Sequence, residues 1–227
     1  MKRTAQLLST ITLLALSTGA LAQRYNAGVN SGVNGNYNTY VGPYAGQHNG
    51  QPNNTFLGTA AGQFSSGGSN TYLGFFAGYW NSGIRNTMVG FNSGAREGST
   101  GGNNTFLGWS TGATNANGSF NTFIGSAAGK GNYAGEHNTF VGNGSGERNG
   151  AGNNNAFFGS GTGNNNIDGS DNLFSGSHAG YLNTNGSRNS FVGRNAGFNN
   201  SIGSDNTILV FAAGINNTTG SANTFLG

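Results

Sequence analysis

Few side chains in this sequence are able to do chemistry. Beyond residue 22 the carboxylates are Glu97, Glu136, Glu147, Asp168, Asp171 and Asp205. General acid–base catalysis needs two titratable groups held together. Only Asp168 and Asp171 are close enough in sequence to approach each other within one turn, where a solvated pair is the ordinary outcome. His48, His137 and His178 fall at three different positions of the repeat described below, which argues against a shared metal. Without cysteine there is neither a thiolate ligand nor a disulfide. The calcium-binding nonapeptide roll needs a recurring Asp, and none recurs here. The glycine-rich strings do not lie in a strand-to-helix unit, so they are not phosphate or dinucleotide loops. Sequons such as those at Asn53 and Asn117 are expected by chance in a chain so rich in Asn, Ser and Thr. The expectation is no catalytic residue, no cofactor, no metal and no enzyme.

One set of hydroxyls is regular. Thr39, Thr55, Thr71, Thr87, Thr105, Thr122, Thr139, Thr207 and Thr224 form a rank, each with an aliphatic residue two places on. A flat Thr/aliphatic face on a rigid scaffold orders water, which makes ice binding the alternative reading of function. Against it, the rank breaks at Ala156, Leu173 and Ser190, and each repeat offers a single Thr.

What positions these residues is a repeat. The phrase Asn-Thr-Phe-Leu-Gly or a near copy opens at Asn38, Asn54, Asn70, Asn86, Asn104, Asn121, Asn138, Asn155, Asn172, Asn189, Asn206 and Asn223, with steps of 16 to 18 residues and mostly 17. A fixed period of this size predicts a solenoid whose coils stack one on the next. The fold class expected is all-β, a parallel β-solenoid or β-roll of about twelve coils of 16–18 residues. The apolar phrase bounded by Gly reads as a short strand. Its side chains alternate, so Asn and Phe share one face and Thr and Leu the other. If the ring column packs inside, Phe56, Phe106, Phe123, Phe140, Phe157, Phe174 and Phe191 form the structural core.

Other columns mark the corners. Glycines recur from Gly46 to Gly214 and from Gly35 to Gly220, and all variation in coil length falls between these two columns, as an outer turn allows. The column Asn115, Asn132, Asn149, Asn166, Asn183, Asn200, Asn217 fits two readings: an amide ladder running from coil to coil, or a set of caps each closing its own turn. Asp171, Arg188 and Asp205 alternate in sign at steps of 17, and Lys130 and Glu147 are also 17 apart, so stacking makes each set of neighbours vertical.

Residues 1–22 read as a secretory signal peptide: Lys2 and Arg3 precede a short apolar stretch, and Ala20-Leu21-Ala22 fits the cleavage pattern, leaving 23–227 as a single repeat domain that is secreted, extracellular or displayed on the cell surface. Loss of Lys2 and Arg3 takes the formal charge from +3 to +1. The remaining basic residues are scattered, which predicts neither nucleic-acid binding nor membrane insertion after cleavage. Both strand faces carry an apolar column and one roll buries only one of them, so self-association is expected. Both ends of 25–227 read as half coils. Tyr25, Ala27 and Gly28 match the x-x-A-G half, and Phe225, Leu226 and Gly227 close a phrase, so a head-to-tail filament is expected in which Gly227 of one copy meets Tyr25 of the next.

Repeats such as Gly102-Asn103-Asn104-Thr105-Phe106-Leu107-Gly108 and Asn189-Ser190-Phe191-Val192-Gly193-Arg194-Asn195-Ala196-Gly197 resemble those of bacterial tail-fibre-domain proteins and, more loosely, the heads of trimeric autotransporter adhesins. The resemblance covers 25–227. It implies a left-handed β-roll, three chains wound together, and attachment outside the cell to glycans or host matrix. A truncated phage-type fibre segment is a further reading of the same likeness.

Overall fold

The computed structural model describes residues 25–28, 31–32 and 35–227. The segment read as a signal peptide lies outside the described residues. Among them there is no helix, and thirteen short strands follow one another: β1 (Tyr25–Ala27), β2 (Thr39–Val41), β3 (Thr55–Leu57), β4 (Thr71–Leu73), β5 (Thr87–Val89), β6 (Thr105–Leu107), β7 (Thr122–Ile124), β8 (Thr139–Val141), β9 (Ala156–Phe158), β10 (Leu173–Ser175), β11 (Ser190–Val192), β12 (Thr207–Leu209) and β13 (Thr224–Phe225). They form one parallel sheet in sequence order, so every connection is one turn of a solenoid. The register follows the repeat: Phe123 stands on Phe140 and Thr122 on Thr139, then Phe140 on Phe157.

The phrase face carrying Asn and Phe is the inner one. Tyr40, Phe56, Tyr72, Met88, Phe106, Phe123, Phe140, Phe157, Phe174, Phe191 and Ile208 fill a single buried file, with Phe225 partly covered at its end. From Phe106 to Phe191 neighbouring rings lie nearly parallel with centroids 4.7–5.0 Å apart, in keeping with the spacing of about 4.8 Å between paired strands. Hydrophobic content of 34% suffices because the core is one side chain wide.

Polar groups inside are met by ladders. Asn138 is typical of the phrase column: its Oδ1 accepts the backbone N–H of Asn155 at 2.9 Å, and its Nδ2 donates to the Gly152 carbonyl at 2.8 Å. The second Asn column realises both readings at once. Asn149 Nδ2 donates to Asn132 Oδ1 in the coil before (2.6 Å) and to the Gly152 carbonyl of its own turn (2.9 Å). No buried side-chain nitrogen or oxygen among the described residues lacks a partner, as a core with this many amides requires.

The side of the coil opposite the strand is hydrogen-bonded from coil to coil as well. Gly146, Arg148 and Gly150 donate to the carbonyls of Thr162, Asn164 and Ile167 in the next coil, each at 2.9 Å. One glycine in each coil is dictated by the ring file. Gly146 has φ +56°, and a Cβ there would lie 2.5 Å from Phe140 Cδ2 and Cε2, so no larger residue fits while the ring holds its place.

The first coil departs from the expected frame. Tyr25, Asn26 and Ala27 pair with Thr39, Tyr40 and Val41, and Gly28 takes φ +134°, matching +122° at Gly42. These residues therefore occupy the strand phrase rather than the A-G half coil. A junction with Gly227 as expected above would not complete a coil. The physical reason is that strand pairing and the glycine conformation set the frame, and an Ala-Gly match alone does not.

Where the ring file carries tyrosine, the second Asn column adjusts. Tyr40 and Tyr72 donate their hydroxyls to Asn49 Oδ1 (3.2 Å) and Asn81 Oδ1 (3.0 Å), and each of these amides donates onward to a serine in the next coil, Ser65 and Ser99. Burial holds both phenols far above their ordinary range, and hydrogen bonds from Asn54 to Tyr40 and from Ser65 and Asn86 to Tyr72 offset only part of it. Ionisation in the unfolded chain begins near pH ~10. The stability these phenols give is complete below that value and is lost as pH rises toward their native pKa. Chemical denaturation at stepped pH should show a decline above pH ~10 that is shallower in a Tyr40→Phe/Tyr72→Phe protein.

Candidate interaction surfaces

With the ring column inside, the other strand column faces out. Val41, Leu57, Leu73, Val89, Leu107, Ile124, Val141, Phe158, Val192 and Leu209 run down the outer face, broken at Ser175, and Leu107 keeps 45% of its surface exposed. Beside them stands the Thr rank, also outward, in register from Thr39 to Thr139. None of these rank hydroxyls is engaged by another protein group.

A second surface is aromatic and was missed from the sequence. His48 stacks on Phe64 (4.8 Å) and Phe64 on Trp80 (4.2 Å); Tyr79 meets Phe64, Trp80 and Phe76; Phe76 meets Phe75, and Phe75 stacks on Phe91. This cluster wraps one corner of the early coils. Its members fall in the variable columns of the consensus, where only aligning non-consensus positions would have revealed a vertical row.

The charged columns resolve unequally. Arg188 and Asp205 form a bidentate pair at 2.7 and 2.9 Å, both exposed. Hydrogen bonding to Asp205, aided by its charge, raises the Arg188 pKa, and the same bond lowers that of Asp205. Asp171 accepts from Asn154 Nδ2 at 3.1 Å. Glu147 accepts from Asn164 Nδ2 at 3.1 Å, and no ion pair joins it to Lys130.

The titratable residues weighed for catalysis are not brought together. Asp171 is engaged by Asn154 of the preceding coil and not by Asp168, and the histidines lie in separate stacks: His48 on Phe64, His137 on Phe120 and His178 beside Ser177 and Tyr181. No group of three metal-ligating side chains occurs among the described residues. At the C-terminal edge an open concavity is lined by Ala213, Gly214, Ile215, Asn217, Phe225 and Gly227. The Thr224 N–H there is the counterpart of the Thr207 N–H, which donates to the Asn223 carbonyl. No protein-family model, no curated protein and no solved structure matches this chain.

Proposed function

We propose that this chain is the shaft of an extracellular structural or adhesive fibre, without catalytic activity, that extends by stacking. One observation carries the reading: beside the bonds that close its own turns, each coil bonds its backbone to the coils before and after it on both sides of the turn, so a strand at the edge of the stack offers the pairing chemistry that every internal coil uses. Such edges pair readily with another strand. The junction proposed is strand on strand and joins the strand side of the coils, with β1 of one copy lying on β13 of the next and Tyr25 above Thr224 in the register that Tyr25 holds to Thr39. A head-to-tail contact of this kind does not close on itself and yields filaments. The sequence pattern of 1–22, which reads as a secretory leader, and the likeness of the repeats to tail-fibre and adhesin repeats support a place outside the cell.

Electron microscopy of the purified secreted protein tests this. Filaments longer than one copy (about 58 Å for thirteen strands at ~4.8 Å) are expected. Thr224→Pro removes the outward N–H and should shorten them while leaving the circular dichroism spectrum intact. Uniform short particles from the wild type would defeat the end-on reading, and a sedimenting closed trimer would replace it with the assembly the resemblance implies.

A further inference from the structure

The outer face of the sheet has three properties together. It is periodic in two directions: paired strands repeat at about 4.8 Å along the axis, with the stacked rings beneath β2–β8 4.6–5.1 Å apart, and the Thr and aliphatic columns are two residues apart, about 6.7 Å. It carries no charge, since every residue of the two columns from Thr39 and Val41 to Thr224 and Leu226 is uncharged. And the Thr hydroxyls are free of protein partners. The run from β2 to β8 is unbroken, Thr in one column and Val, Leu or Ile in the other at every strand.

We propose that this face binds ice. A rectangular array recognises best a partner with its own matching period, and the prism faces of ice present oxygen rows with a repeat close to the coil rise. Lattice water offers each hydroxyl both a donor and an acceptor, while the Thr methyls and the Leu, Val and Ile side chains fill the gaps between water rows. A dry protein partner would instead have to pair every hydroxyl it buries, because an unpaired buried hydroxyl is costly. The absence of charge fits the same ligand, since an ion imposes its own hydration shell on adjacent water. Rigidity comes from beneath: the buried core file and the unbroken phrase-Asn ladder from Asn38 to Asn138 hold the strands in register, so the array is preorganised. This inference rests on the adhesive reading and names the surface adhered to.

The test uses the protein expressed as residues 23–227 and two variants. Thr105→Lys puts a charge in the middle of the unbroken run. Ala151→Lys puts the same charge on an exposed turn outside both columns. The wild type should separate the freezing and melting points of ice and suppress recrystallisation. Thr105→Lys should lose most of both effects, and Ala151→Lys should keep them, with matching circular dichroism for all three. Absence of both effects in the wild type, or equal loss in the two variants, overturns the inference. So does a wild-type dimer that Thr105→Lys dissociates without any activity on ice, which would assign the face to a second copy. Filaments without ice activity sink this inference alone; ice activity without filaments sinks only the end-on stacking.

Discussion

Phe140→Ala should destabilise the protein by about 3–5 kcal/mol, measured by denaturant unfolding. The ring is fully buried between Phe123 and Phe157, with centroids 4.8 Å away on both sides. Its removal opens a gap in a core one side chain wide, where no second layer can move in. Gly146 provides an internal check. Gly146→Ala should be severely destabilising by itself, because its Cβ would meet the Phe140 ring at 2.5 Å. In the double variant that obstacle is gone, so the two costs should sum to well more than the measured total, as residues in direct contact do. An effect of Phe140→Ala below about 1 kcal/mol would mean that the ring file is loosely packed.

Asn149→Asp should be comparably damaging, by about 3–5 kcal/mol at neutral pH, because it buries an uncompensated charge. Asn149 is fully buried, and its Nδ2 feeds two acceptors, Asn132 Oδ1 and the Gly152 carbonyl. A carboxylate oxygen there would face both of them with no proton to share. Burial raises the native pKa of the new carboxyl above the unfolded value of ~3.9. The variant is therefore nearest to wild type below that pH and loses stability as pH rises toward the native pKa. Unfolding curves at pH 3 and pH 7 should differ far more for this variant than for the parent. Equal losses at both would show that the ladder tolerates the charge.

Much of this architecture was legible because side-chain alternation in a strand is strict. Asn138 and Phe140 had to share a face, and spacing alone set Phe123 over Phe140. Three things were not legible. The frame of the first coil turned on φ at Gly28, which an Ala-Gly match cannot convey. The second hydrogen-bonded side, around Gly146 to Gly150, carries no strand-forming residues, since backbone pairing and the Asn149 ladder hold it rather than propensity. And the residue before each phrase takes a left-handed conformation whatever its type, as Phe120, His137, Asp171 and Arg188 do with φ between 55° and 59°. Nothing in those side chains announces it; the neighbouring coil imposes it, as when Asn154 N–H bonds to the Glu136 carbonyl. Of the surfaces, the Thr rank could be read directly, while the aromatic corner could not, because its members share a row only after folding.

Strict vertical register has a hereditary consequence. From Asn104 onward each coil is 17 residues long, and strand neighbours meet at the same columns. A gene encoding near-identical segments recombines with itself out of step, losing or gaining one segment at a time. For most folds such an event deletes part of a core. Here removal of 138–154 would bring Asn155 onto Asn121 with every column still aligned, so the shaft can shorten or lengthen in steps of one coil without passing through an unfoldable intermediate. Reach is then a trait open to rapid selection, while the face presented per unit length stays the same.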